Sequence, residues 1–137
     1  MFKNFQVSCA IIEKNGLVLA TQRSEVMSLP LKWEFPGGKI APSEDAATCL
    51  IREIREELGI GINFFTPLSP SFWRYADFAV TLYPFICHMG TDQITLAEHK
   101  ALLWVRPEDL PRRDWAEADV SVGYTYLAYL DGNVHGQ

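Results

Sequence analysis

Residues 38–60 read GKIAPSEDAATCLIREIREELGI, and this stretch decides the fold. At about 100° per residue, Leu50, Ile54 and Leu58 share one side of a helix, with Ala47 and Ile51 beside them. Glu53, Glu56 and Glu57 fall on an adjoining side, because residues three and four apart are neighbours on a helix. Arg52 and Arg55 sit between the two sides, placed to bridge or orient the acids. The spacing predicts a helix over about 43–58, with Ser43 as its cap and Glu44 and Asp45 in the first turn, where the helix dipole favours anions. Gly59 supplies the stop. Like charges at these offsets cost stability unless a cation binds among them. Hard divalent ions take oxygen ligands of this kind. The plainer alternative is a solvated face laced with ion pairs; the glycine-rich turn leading into the helix favours a binding role.

Outward from the helix, strands alternate with turns. Val7, Cys9 and Ile11 alternate with Gln6, Ser8 and Ala10, which predicts a half-buried strand. Asn15-Gly16 is a hairpin signal, and 17–22 makes the return strand. A loop containing Pro30 follows, then a short strand over 32–35, broken by Pro36-Gly37-Gly38. Further strands are expected at 72–75, 79–88 and 101–105. Pro84 makes the second of these an edge strand or a bulged one. A turn at 107–110 precedes a second helix over 116–130, in which Val122, Tyr126 and Leu130 recur at helical spacing. The last residues, 131–137, are polar and expected to be loose. Hairpins outnumber regular βαβ units, so the class is α+β with a mixed sheet, in one domain spanning 1–137.

Composition narrows the function. The chain has 137 residues, 48% hydrophobic and 21% charged, as in ordinary globular domains. Twelve Lys and Arg against 17 Asp and Glu give a net charge of −5, which argues against nucleic acid and anionic membrane as partners. A small phosphorylated ligand stays compatible, since a metal supplies the missing positive charge. Cys9, Cys49 and Cys87 form no zinc or disulfide pattern, and MFKNFQ carries no signal core, so a reducing cytoplasm is expected.

Gly38, Glu44, Arg52, Glu53, Ile54, Glu56, Glu57, Gly59 and Ile60 fit every fixed place of the Nudix hydrolase signature, Gx5Ex7REUxEExGU with U aliphatic. The segment WEFPGGK, from Trp33 to Lys39, resembles the MutT-type branch, which includes 8-oxo-dGTP diphosphatases and CTP pyrophosphohydrolases. Glu98-His99 and DWAEAD (114–119) extend the likeness thinly over most of the chain. The resemblance implies the Nudix fold, an α/β/α sandwich around a mixed sheet. It implies a Mg²⁺-dependent pyrophosphohydrolase, with Mn²⁺ able to substitute. The substrate would be a (deoxy)nucleoside triphosphate, oxidised or otherwise modified, of the 8-oxo-dGTP or CTP type. The products would be nucleoside monophosphate and pyrophosphate. By the same resemblance Glu53, Glu56 and Glu57 ligate the metal, with the Gly37 carbonyl and Glu98 as further ligands. Glu53 helps activate the attacking water, Arg52 orients a glutamate, and Glu44 supports the site. The branch often has Glu-x-Gly-Glu where this chain has Ala41-Pro42-Ser43-Glu44; the change lies in the loop, so catalysis is expected to survive with a stiffer loop.

The resemblance also places nucleotide contacts at Arg23, Glu34, Phe35 and Asp119. Gly38 lets backbone approach closely, and Lys39 is placed to contact phosphate. Phe35 stacks on a base or packs in the core. Glu34 is alternatively a structural acid beside the glycine turn. A neutral Asp119 carboxyl pairs with an amide-like base edge, whereas an ionised one favours amino groups such as that of cytosine. Trp73, Tyr75, Trp104 and Trp115 are read first as core or rim, and His99 as a partner standing behind the site. The reading from another class is a non-catalytic Nudix-like module that recognises a nucleotide or damaged base. The assembly is expected to be a monomer or homodimer.

Overall fold

The computed structural model describes residues 2–90 and 93–135. Strand β1 (Lys3–Lys14) turns through Asn15-Gly16 into β2 (Leu17–Gln22). Both turn residues have positive φ, 53° and 78°, as a two-residue hairpin of the primed type requires. The two strands pair next to the turn, Glu13 with Val18 and Lys14 with Leu17, and then diverge. The wedge between them is filled by segment 33–39. Its first part, β3 (Trp33–Glu34), pairs with β2, and its second, β4 (Gly37–Lys39), pairs with β1. Pro36-Gly37-Gly38 therefore does not end the extended run, as the sequence suggests. It hands the chain from one strand partner to the other, and the Pro36 carbonyl accepts from the Ala10 N–H at 2.8 Å.

Helix α1 (Ala46–Leu58) follows. Its cap is Asp45, whose side chain accepts from the Thr48 N–H, and not Ser43. The reason is a turn closed just before it: the Glu44 N–H donates to the Ala41 carbonyl, and the Glu44 carboxylate accepts from the Ala41 N–H. No acid lies in the first helical turn. Gly59 ends the helix as expected, in the left-handed conformation, with its N–H on the Arg55 carbonyl.

Three strands build the far side of the sheet. The sequence does not announce β5 (Ile62–Pro67). β6 (Ser71–Arg74) and β7 (Phe78–Met89) fall close to the expected segments. β7 runs parallel to β1 from Lys3–Phe78 to Glu13–His88, which makes it central and the sheet mixed. Pro84 is thus not on an edge strand. It lies where the other flank of β7 changes from β6 to β5, beside a register shift between Asn63 and Thr66, so its missing N–H falls in an interrupted ladder. β8 (Ala101–Val105) pairs with β2, and a 3₁₀ turn (Pro107–Arg112) leads to α2 (Glu117–His135). The helix includes residues 131–135, where the sequence suggests a loose tail; Gly136 and Gln137 lie outside the described residues.

Two cores result, one on each face of the sheet. Ala10, Ile12 and Leu19 pack with Leu50, Ile54 and Leu58 of α1. Cys9, Ile11, Val18 and Ala20 pack with Phe35, Trp115, Val122 and Tyr126 on the α2 side. β1 is covered on both faces, so Ser8 through Ile12 are buried and the strand is not half-exposed as its alternation suggests. Each large apolar side chain so buried contributes about 1.5–3 kcal/mol. The α1 face is therefore fixed firmly enough to aim its acids. Among the described residues no helix is long and apolar enough to cross a membrane.

Candidate active site

The acids of α1 leave the buried stripe on the side that faces β4. Arg52 organises them. Its Nη2 and Nε donate to the two oxygens of Glu44, the latter at 3.2 Å, while Nη1 donates to Glu53 at 2.9 Å and to Glu56 at 3.4 Å. The hydrogen bond to Arg52, helped by the Ala41 N–H, brings the Glu44 carboxyl down to about 2. Glu44 is thus a fixed anion that holds Arg52, and Arg52 holds Glu53. Glu53 lies against Gly38: a Cβ there would fall 2.2 Å from its carboxyl carbon. Cys49, buried beneath, accepts from the Ser8 hydroxyl and sits 3.5 Å from the Gly38 carbonyl and 3.4 Å from that of Lys39.

Glu57 is different. Its Oε1 is buried and has no hydrogen-bond partner among the described residues. Burial is the main cause that lifts its carboxyl to about 7; the His99 and Gly37 contributions oppose this, and the Glu34 and Glu53 charges add to it. Glu57 is also among the residues that line a cavity of about 400 Å³, with Gly37, Gly38, Lys39, Glu34, Arg23 and Asp119. That volume lies within the range of small-molecule sites, about 300–1,000 Å³. Apolar side chains from β1 and β7, including Phe5, Phe78, Val80 and Leu82, form one wall with Tyr75. Tyr75 stacks on Phe78 with ring centroids 4.8 Å apart.

The expected metal ligands are not gathered equally. Glu53 and Glu57 converge near Gly37 and Gly38, but the Glu56 side chain is 60% exposed, and Glu98 is exposed on the segment before β8. As placed, no group of three His, Cys, Asp or Glu among the described residues forms a ready ion cage. Arg52 has drawn Glu53 and Glu56 to itself. The donor set nevertheless fits a hard cation, because the buried Glu57 oxygen lacks a donor and stands among like charges.

The expected nucleotide contacts separate into three kinds. Phe35 does not face the cavity: it is buried and stacked on Trp115 at 4.6 Å, so the core reading holds and base stacking by Phe35 is corrected. Phe35 follows β3 directly and joins the core on the α2 side of the sheet, against Trp115 in the segment just before α2. Arg23 and Glu34 line the cavity but are engaged with each other at 2.8 Å. The other Glu34 oxygen is 2.7 Å from His99 Nε2, so both of its carboxylate oxygens are engaged within the protein. Burial opposes the charged form of His99, yet the hydrogen bond and charge of Glu34 carry its pKa above the ordinary value. Asp119 lines the cavity and accepts from the Phe35 N–H at 2.9 Å. Burial first, and the Glu34 charge second, push its carboxyl well above the usual range. Lys39 lies at the cavity with Nζ 4.1 Å above the Phe5 ring.

Residues that the sequence left unmarked complete the lining: Met27, Ser28 and Leu29 from the loop after β2, and Phe78, Val80 and Leu82 from β7. The alternation of Phe78, Val80 and Leu82 marks one strand face, but only the sheet order shows that this face borders a cavity.

The fold thus docks an acid-bearing helix under a glycine strand at the split of a mixed sheet. The family model for the NUDIX domain matches residues 3–125, and the chain belongs to the Nudix hydrolase family. A CTP pyrophosphohydrolase of Escherichia coli is 31% identical over 126 residues, covering 92% of this chain and 93% of the relative. An 8-oxo-dGTP diphosphatase of Proteus vulgaris is 30% identical over 94 residues, covering 68% of this chain and 84% of the relative. The solution structure of the E. coli ORF135 protein superposes with a TM-score of 0.79 at 31% identity, covering 93% of this chain and 91% of that one. The MutT structure from methicillin-resistant Staphylococcus aureus gives 0.73 at 38% identity, covering 90% and 95%. With such relatives the chain is an enzyme, which sets aside the non-catalytic recognition module.

Proposed function

We propose that the chain is a divalent-metal-dependent pyrophosphohydrolase of (deoxy)nucleoside triphosphates, releasing nucleoside monophosphate and pyrophosphate. One observation carries this reading: Glu57, with a buried oxygen that lacks a donor, lines the same cavity as Gly37, Gly38, Lys39 and Asp119. Glu53, Glu56, Glu57 and the Gly37 carbonyl are the groups to hold Mg²⁺ or Mn²⁺, with Glu98 as a further acid. When bound, the ion supplies positive charge against the polyphosphate and makes water more acidic. Glu53, held by Arg52 against Gly38, accepts the proton of the attacking water. The new oxygen–phosphorus bond forms as the α–β anhydride bond breaks, and pyrophosphate leaves. Lys39 offers its ammonium to the phosphates.

The base occupies the cavity between the Tyr75–Phe78 wall and loop 24–31, with Asp119 reading its edge. Burial favours the neutral form of this carboxyl, and in that form it presents one donor and one acceptor, which suits the amide-like edge of an oxidised guanine. Removal of modified nucleotides from the pool is the matching cellular role. A cytosine-type triphosphate is the second reading, favoured by the E. coli relative named for CTP. The test is a competition among many normal and damaged triphosphates, with and without Mg²⁺, followed by product identification. Silence across the panel from folded protein overturns the proposed activity.

A further inference from the structure

One wall of the cavity is made by a loop whose inner backbone hydrogen bonds are long, Met27 N–H to the Ser24 carbonyl and Lys32 N–H to the Leu29 carbonyl, each at 3.3 Å. Met27, Ser28 and Leu29 of segment 24–31 line the cavity. Leu29 and Leu31 both have positive φ, 50° and 65°, a conformation that leucine rarely adopts and that persists only when surroundings impose it. Arg23 imposes it. Its Nε donates to the Ser28 carbonyl, Nη2 to the Ser28 hydroxyl at 3.0 Å, and its backbone closes the loop through Leu31 and Lys32. The remaining guanidinium nitrogen goes to Glu34. Glu34 in turn meets His99, whose side chain is 1% exposed. The segment carrying His99 is tied to the end of α1: the Ala97 N–H donates to the Glu57 carbonyl at 3.1 Å and that of Thr95 to the Leu58 carbonyl at 2.9 Å. His99 itself is not part of the cavity lining.

We propose that His99 is a positioning residue for nucleotide selection: through Glu34 and Arg23 it sets loop 24–31 as the pocket wall and fixes that wall to the helix that carries Glu57. This role in selection rests on the reading of the cavity as the nucleotide site. The chain of contacts links residues 65 apart in sequence, from His99 to Glu34, through charged groups shielded from water. Such hydrogen bonds are the stronger kind, and their loss frees whatever they hold. A strained loop released from its tie relaxes its two leucines and changes the shape of the wall, leaving the acids of α1 in place.

The experiment is amide hydrogen exchange on the full chain for wild type, H99L, H99Q, E34Q and the E34Q/H99L pair, alongside steady-state kinetics. H99L is expected to speed exchange in 24–32 by about tenfold or more, the loss set by one charge-assisted hydrogen bond. Strands β1 and β7 should stay unchanged. H99Q, whose amide still donates to Glu34, should restore most of the protection. The pair should exchange no faster than E34Q alone. In kinetics, H99L should move KM and the ranking of oxidised-guanine against cytosine triphosphates more than it moves kcat. Unchanged exchange in 24–32, a uniform rise throughout the chain, or failure of H99Q to restore protection overturns the role assigned to His99. Absence of hydrolysis by wild type overturns the proposed activity instead, while the exchange data still decide the tie.

Discussion

Gly38 and Glu53 share one volume: a Cβ on Gly38 would sit 2.2 Å from the Glu53 carboxyl carbon and 2.4 Å from its Oε1. The obstructed group is the free end of a flexible side chain, so Gly38→Ala should leave the fold intact and displace the carboxylate. Turnover is expected to fall about a hundredfold or more, the cost of misplacing a reacting group. Gly37→Ala makes the contrast. Its Cβ would fall 1.9 Å from the Ser8 carbonyl oxygen of β1, which cannot move without parting the strands. That variant should lose about 3 kcal/mol or more of stability. Thermal melts and turnover measured together on both variants distinguish the two effects; full activity in Gly38→Ala would show that Glu53 needs no such place.

Glu53→Gln keeps the shape of the side chain and removes its basicity. Turnover should drop by about two to four orders of magnitude, the usual worth of a general base, with the melting temperature little changed. Near-normal turnover would remove Glu53 from the proton transfer.

Arg52→Lys retains the charge but not the fork that engages both oxygens of Glu44. The expected result is a loss of turnover of about ten- to a hundredfold, since Glu53 is no longer oriented. Substrate ranking should not change. A changed ranking with normal turnover would place Arg52 in base recognition and contradict its role as an orienting group.

Glu57 gives the protein a pH signature. Its carboxyl is raised to about 7, so the folded chain holds this proton more tightly than the unfolded chain does. The associated stability is fully present below about pH 4.5 and is lost as pH rises through about 7, by about 3 kcal/mol in total. Asp119, also raised by burial, acts with the same sign. Glu57→Gln should flatten this part of the stability profile in denaturant titrations. Binding of Mg²⁺ near neutral pH should release protons, measurable by calorimetry in buffers of different ionisation heat. Binding without proton release would remove Glu57 from the ligand set.

Asp119 separates recognition from chemistry. Asp119→Asn keeps an acceptor for the Phe35 N–H and should fold normally, whereas Asp119→Ala leaves that buried donor unpaired at about 1–3 kcal/mol. Both should change the ranking of triphosphates more than the maximal metal-dependent rate. An unchanged ranking in competition assays would mean that the base is read elsewhere.

Much of this site was open to reading in one dimension. The apolar stripe Leu50–Ile54–Leu58 and the acids Glu53, Glu56 and Glu57 lie within four helical turns, where the 3.6-residue period alone decides which side chains are neighbours. Gly59 as the stop is equally local, since only a residue at ease with positive φ ends a helix that way. Ser43 as the cap was the local misreading: Glu44 and Ala41 closed a turn first and passed the cap to Asp45. Pro84 leaves an edge strand and a bulge both open, and the register shift between Asn63 and Thr66 decides for the second, because a missing N–H tells of an interrupted ladder without telling how it is interrupted.

The amino-acid sequence by itself determined the acid-bearing helix, its glycine approach and the hydrolase family, because each depends on spacings inside one continuous segment. Only the tertiary structure decided that Phe35 belongs to the core and that Asp119, 84 residues away, holds its N–H at the edge of the cavity. It alone decided that His99 stands behind Glu34. Such meetings are set by which strands pair and which helix covers each face of the sheet, and a periodicity carried by one segment contains no record of its partners in space.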